Sequence, residues 1–140
     1  MATLPELLRT TLDMEASDLH LTANSPPQVR VHGSLQRLNA PDLTPADTKQ
    51  LAYSVLTDAQ KKRFEETREL DFSFGVRNMA RFRCNVFSQR GAVAAVYRVI
   101  LDRIRTIKEL GLPDVVGTLA ERPRGLVLVT GPTGSGKSTT

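Results

Sequence analysis

Cysteine is almost missing from this sequence: Cys84 is the only one in 140 residues. No internal disulfide can form, which excludes the bridged frameworks of small secreted domains and fits a reducing compartment. A single thiol in this setting reads as a small packed residue in a strand rather than as a nucleophile. Long hydrophobic runs are missing too. No eighteen consecutive apolar residues occur, so no membrane span is expected. The N-terminus has no basic region ahead of an apolar one and carries an acid at Glu6, which argues against a secretory signal. Excess charge of one sign is scarce: 19 Lys and Arg against 15 Asp and Glu leave a net +4, too little to indicate nucleic acid. The densest basic cluster, Lys61-Lys62-Arg63, is followed by Glu65 and Glu66, the pattern of a solvated helix face. No repeat and no low-complexity tract is present. What remains, 40% hydrophobic and 24% charged, is ordinary for a globular chain, and the length suggests one domain.

Threonines punctuate the pattern. Thr3-Leu-Pro-Glu6 forms a capping box before Leu7, Leu8 and Leu12 and predicts a helix to about Ala16. Thr44-Pro45 supplies a cap and a first-turn proline ahead of Leu51, Val55 and Leu56. Thr57-Asp-Ala-Gln60 opens a helix with Phe64 on its buried face, and Thr106-Ile-Lys-Glu109 opens a short one ending near Gly111. Strands are expected between them. Asp18 to Thr22 alternates polar and apolar residues. Val29–His32 and Leu35–Leu38 form a hairpin turning at Gly33, and three strands follow at Leu70–Gly75, Ala80–Ser88 and Val93–Ile100. The order predicts an α+β domain over residues 1–100, a linker over 101–124 with prolines at 113 and 123, and a change of architecture from Gly125.

That change is marked by Leu126-Val127-Leu128-Val129, an apolar run of the kind seen in a parallel strand buried on both faces. Gly131-Pro132-Thr133-Gly134-Ser135-Gly136-Lys137-Ser138 then fits G-x-x-x-x-G-K-[ST] at every defined position. The glycines let the backbone curl so that several N–H groups, with the start of a helix behind them, converge on phosphate oxygens. Lys137 would reach the β- and γ-phosphates of ATP, and the Ser138 hydroxyl would join the shell of Mg²⁺. Thr139 follows within the same turn. A dinucleotide fingerprint is set aside, because its third glycine is missing and Lys137 has no role in it.

Five blocks lead up to this loop: "ASDLHL" (Ala16 to Leu21), "PPQVRVHG" (Pro26 to Gly33), "ELDFSF" (Glu69 to Phe74), "ARFRCNVFSQR" (Ala80 to Arg90) and "VYRVI" (Val96 to Ile100). Together with "RGLVLVTGPTGSGKSTT" they resemble the amino-terminal part of the PilT-like pilus-retraction ATPases of the secretion ATPase superfamily. The resemblance implies a PAS-like N-terminal domain over 1–100 and the first strand and phosphate loop of a RecA-like α/β ATPase domain over 125–140. It implies a cytoplasmic homo-hexamer, peripheral to the inner membrane at the pilus base, that binds ATP between its two domains, works on an inner-membrane platform protein and drives twitching motility. No direct nucleic-acid contact is expected, since no aromatic–basic face is evident. The acids that organise Mg²⁺ and activate water follow the loop in such enzymes, so the 140 residues alone are expected not to hydrolyse ATP. The short N-terminus favours retraction over the extension and type II secretion members. A non-catalytic PAS-like oligomerisation module is the rival from another class.

Arginines complete the set of candidates. Arg81 and Arg83 lie two apart in a strand pattern and share a face, and Arg98 sits in a neighbouring strand. A cationic face closing over a triphosphate supplies charge where it develops, and an arginine so placed is worth ~10³–10⁵ in rate. By the resemblance, Arg83 and Arg98 match nucleotide-sensing positions; surface ion pairing is the competing reading for all three arginines. His20 has no cysteine or second histidine at ligand spacing, and His32 falls in a separate strand, so His20 reads as structural. Asp18 and Asp71 are read as backbone-capping residues.

Overall fold

In the computed structural model, three threonines start the three helices of the larger unit. The structure describes residues 2–100, 106–131, 136, 137, 139 and 140. It divides into two units, Met1–Asp102 and Arg103–Thr140. In the first, the Thr3 N–H donates to the Glu6 carboxylate at 2.7 Å, that of Thr44 to Asp47 at 2.8 Å, and that of Thr57 to the Gln60 side chain at 2.9 Å. Asp47 and Gln60 return the bond through their own N–H groups to the threonine hydroxyls, at 3.2 and 3.3 Å. These boxes start α1 (Leu4–Asp13), α2 (Pro45–Tyr53) and α3 (Asp58–Thr67). The first helix stops at Asp13, short of the expected Ala16. Glu15 turns left-handed (φ 51°), and the N–H groups of Glu15 and Ala16 donate to the carbonyls of Leu12 and Thr11. That closure ends the helix although no glycine signals it.

Six strands form one sheet in the order β3-β2-β1-β6-β5-β4. They are β1 (Asp18–Leu21), β2 (Gln28–Val31), β3 (Ser34–Arg37), β4 (Glu69–Val76), β5 (Ala80–Gln89) and β6 (Ala92–Ile100). Every adjacent pair is antiparallel. Two hairpins close through two-residue turns with positive φ at both positions: His32 (47°) with Gly33 (84°), and Arg90 (50°) with Gly91 (79°). Mirror-image turns of this type match the twist of the strands, which is why glycine holds the second position of each. His32 is therefore a turn residue, not the strand residue the sequence suggested.

The core lies on one face of the sheet. Leu4, Leu7 and Leu8 of α1, Leu51 and Ala52 of α2 and Phe64 of α3 join one buried cluster with Leu19, Leu21, Val29, Leu70, Phe82, Cys84, Val86, Ala95 and Tyr97. The strand members follow a period of two, as a half-buried sheet requires. Burial pushes the Cys84 thiol up to about 12, so it stays protonated and inert as expected. Tyr97 is fully buried and its hydroxyl has no hydrogen-bond partner among the described residues; desolvation raises its pKa. The α+β class read from the sequence is the class observed.

In the second unit the sequence pattern is only partly realised. The Thr106 N–H donates to Glu109 at 2.8 Å as the capping box requires. The expected helix, however, is a single turn, closed where Gly111 (φ 64°) donates to Lys108 and Leu112 to Ile107. A helix not anticipated, α4 (Val115–Ala120), follows Pro113. The strand expected at Leu126–Val129 is not formed: residues 125–131 have no strand pairing, and those four side chains are 83, 57, 74 and 51% exposed. The run is apolar enough for a buried strand, but a strand exists only through a neighbour that takes its hydrogen bonds, and none pairs with it among the described residues. The first five residues of the expected linker, 101–105, lie outside the described residues.

Candidate functional site

The second face of the sheet is polar, and register decides which side chains meet there. Cross-strand partners align Leu35, Arg30, Asp18, Arg98, Arg83 and Ser73 in one row across all six strands. The next row carries Arg37, Gln28, His20, Val96, Asn85 and Asp71. A depression of about 200 Å³ opens on this face, lined by Asp18, Asp71, Arg83, Asn85, Val96 and Arg98. Arg83 and Arg98 are thus directly opposed across β5 and β6, and Arg81 lies two pairs further along, opposite Ile100. All three arginines the sequence singled out share this surface.

Their electrostatic situations differ. Arg98 Nε donates to Asp18 Oδ1 at 2.8 Å, and Arg30 Nε lies 3.6 Å from Asp18 Oδ2. The Ser17 hydroxyl donates to Oδ2 at 2.7 Å. Asp18 is only 3% exposed at its side chain, against 67% for Arg98. Arg83 makes no hydrogen bond or ion pair among the described residues and faces solvent. Asp18 is therefore neither a cap nor a turn residue: it is a buried carboxylate at the centre of a cationic row. Asp71 is likewise a strand residue, exposed and opposite Asn85. Alternation in "DLHL" already placed Asp18 and His20 on the face opposite Leu19 and Leu21. A carboxylate in that position was a usable signal, but its partners come from segments 12 and 80 residues away, a pairing only register supplies.

Burial alone would raise the Asp18 carboxyl, but the hydrogen bonds from Ser17 and Arg98 outweigh it and hold the group below its usual value of 3.8. The sign follows. A depressed native pKa stabilises the fold fully above the unfolded value near ~3.9, and that contribution disappears as pH falls through the native pKa. Asp18→Asn is expected to flatten the loss of stability below about pH 4, read from urea midpoints across pH. An unchanged acid limb would mean that Asp18 is not the ion-paired group described. His20, beside it, has a buried Nε2 without a partner among the described residues. Desolvation lowers its pKa against the pull of Asp18, with Arg30 and Arg98 adding to the lowering. No group of three metal-ligating side chains occurs among the described residues.

Of the glycine loop, Gly131, Gly136, Lys137 and Thr139 are described; Pro132, Thr133, Gly134, Ser135 and Ser138, including the expected Mg²⁺ ligand, lie outside the described residues. Gly136 has φ 91°, a conformation other residues rarely adopt. Its carbonyl accepts from the N–H groups of Thr139 and Thr140 at 2.9 and 3.0 Å. No helix among the described residues is long and apolar enough to cross a membrane.

Residues 2–140 match the family model described as type II/IV secretion system protein. The chain belongs to that family. Within it, the chain is 50% identical over 135 residues to the type IV pilus retractation ATPase PilT of Pseudomonas aeruginosa, covering 96% of the chain and 39% of PilT. It is 43% identical over 134 residues to a twitching motility protein of Neisseria gonorrhoeae, covering 96% of the chain and 36% of that protein. Its fold matches a crystal structure of the pilus retraction motor PilT with bound ADP at a TM-score of 0.80 and 51% identity, over 99% of the chain and 41% of that structure. This secretion-family chain thus spans about two fifths of the length of the relatives it matches. The resemblance to PilT-like ATPases drawn from the sequence blocks holds over nearly the whole chain.

Proposed function

We propose that this chain is the ATP-binding part of a hexameric motor ATPase that powers type IV pilus retraction and twitching motility. The observation that carries the reading is the 50% identity to PilT over 96% of the chain. The glycine loop supports it from the sequence. Gly131, Pro132, Thr133, Gly134, Ser135, Gly136, Lys137, Ser138 and Thr139 would hold the phosphates of ATP, with Lys137 on the transferred group and Ser138 on Mg²⁺. The bound nucleotide supplies the phosphoryl group and the free energy of its transfer. From the polar sheet face, Arg83 and Arg98 would contact those phosphates in the assembled ring. Their chemistry fits an anion: among the described residues Arg83 has no hydrogen bond or ion pair, and Arg98 is engaged only through Nε. The proposed organisation is a PAS-like domain over 1–100, a linker over 101–124 and the start of a RecA-like domain over 125–140. The motor would act from the cytoplasm on an inner-membrane platform protein. The 140 residues by themselves would not turn ATP over.

Lys137→Ala in the cell that makes the protein tests the reading. Twitching should stop while surface pili persist, because a retraction motor is needed only to withdraw them. Loss of pili would indicate an extension motor, and unimpaired twitching would remove the motor reading. The purified 140-residue chain should show no ATP turnover; turnover that vanishes in Lys137→Ala would overturn the claim that it is inactive alone.

A further inference from the structure

The two arginines that flank Asp18 are held in different ways. Arg30 is tied at two points: Nε lies against Asp18 at 3.6 Å, and Nη1 donates to the Gly33 carbonyl at 2.9 Å. Its charge is spent inside the fold, against the carboxylate and the β2–β3 turn. Arg98 is held at one point. Nε donates to Asp18 at 2.8 Å, and its two terminal nitrogens make no other hydrogen bond among the described residues. A guanidinium fixed through Nε keeps its outer edge, the pair of Nη groups, free for a second anion. That outer edge stands on the same row as Arg83, directly across the strand pair.

From this geometry we infer that Asp18 is a positioning residue: its buried carboxylate fixes Arg98 so that the Nη edge, with Arg83 beside it, presents a preset fork to the phosphates of a nucleotide. The inference rests on the proposed role of Arg98 toward ATP. Two physical reasons favour it. Arginine and lysine carry large rotamer entropy, so a side chain ordered before the ligand arrives loses less on binding. Two guanidiniums directly opposite each other across adjacent strands also repel. The carboxylate between Arg30 and Arg98 offsets that repulsion and lets Arg83 and Arg98 converge. Asp18 touches neither substrate nor reacting atoms. It acts through Arg98.

The sign of one substitution separates this role from simple proximity. If Asp18 were only a negative charge near a phosphate site, removing it would tighten ATP binding. If it positions Arg98, removing it weakens binding. In the full-length protein, Arg98→Ala is expected to weaken ATP about tenfold or more, as for a lost charge-assisted hydrogen bond. Asp18→Ala should weaken it by roughly half an order of magnitude to one order, and the double variant by no more than about twofold beyond the worse single one. Asp18→Asn keeps the shape and one acceptor and should fall between wild type and Asp18→Ala; it carries the test if the alanine variant does not fold. Arg30→Met removes an ion pair from the same carboxylate yet leaves Arg98 held, so its ATP affinity should stay within about twofold. A merely structural role for Asp18 would give Arg30→Met and Asp18→Ala the same deficit. Unchanged or tighter binding in Asp18→Ala, with Arg98→Ala impaired, overturns the positioning role alone. An Arg98→Ala protein that binds ATP like wild type overturns both that role and the nucleotide reading of Arg98.

Discussion

Phe82→Ala should cost the first unit about 3–5 kcal/mol, the usual cost of deleting a fully buried aromatic side chain. Phe82 is 0% exposed and sits in β5, paired on one side with Phe74 of β4 and on the other with Val99 of β6. Its ring centroid lies 5.7 Å from that of Phe74, and Phe74 meets Tyr97 edge-on at 6.3 Å. Removing the ring opens a cavity in the buried cluster beside Phe74, and strands hydrogen-bonded on both sides cannot move in to fill it. Domains of this size are stable by only about 5–15 kcal/mol, so the variant should be largely unfolded at modest urea. Phe82→Leu, which keeps most of the volume, should cost below about 1.5–2 kcal/mol. Urea midpoints followed by circular dichroism measure both. A shift below about 1 kcal/mol for the alanine variant would mean that this face of the sheet is not the core.

Arg83→Ala should act on turnover and leave the fold alone. Arg83 is exposed and makes no ion pair or hydrogen bond among the described residues, so its loss should change stability by no more than about 0.5 kcal/mol. If it faces the transferred phosphoryl group in the ring, its guanidinium stabilises charge that appears only in the transition state. Its removal then lowers kcat by ~10³ or more while KM changes far less. Arg83→Lys should not restore the rate, because an ammonium lacks the planar fork that matches phosphate oxygens. ATP turnover by the full-length protein, wild type against variant, is the measurement. A loss under tenfold would assign Arg83 to solvent-facing surface charge.

How much of this was legible beforehand depends on the range of the interaction. The three capping boxes of the first unit involve residues three apart, and each stands where the threonines placed it. Strands β1 to β6 are legible because alternation is a local property and Gly33 marks the β2–β3 turn; the turn at Arg90 and Gly91 came from the structure. The end of α1 was missed, since Glu15 adopts a left-handed conformation that no side chain announced. The element at Thr106 ends at Gly111, where the glycine marks it, but amounts to a single turn rather than a helix. Leu126–Val129 marks the opposite failure: composition suits a buried strand, and composition cannot provide a partner strand.

The candidate site divides in the same way. The sequence by itself carried the glycine motif with Lys137, the shared face of Arg81 and Arg83 and the packed Cys84, because each is written in neighbouring residues, and the family through short blocks each legible on its own. Only the tertiary structure set Arg98 opposite Arg83 and closed both Arg98 and Arg30 on Asp18. Those contacts join β1, β2, β5 and β6, and the register of an antiparallel sheet comes from the packing of its buried face. A shift of one residue would turn Asp18 into the core and Leu19 out to solvent.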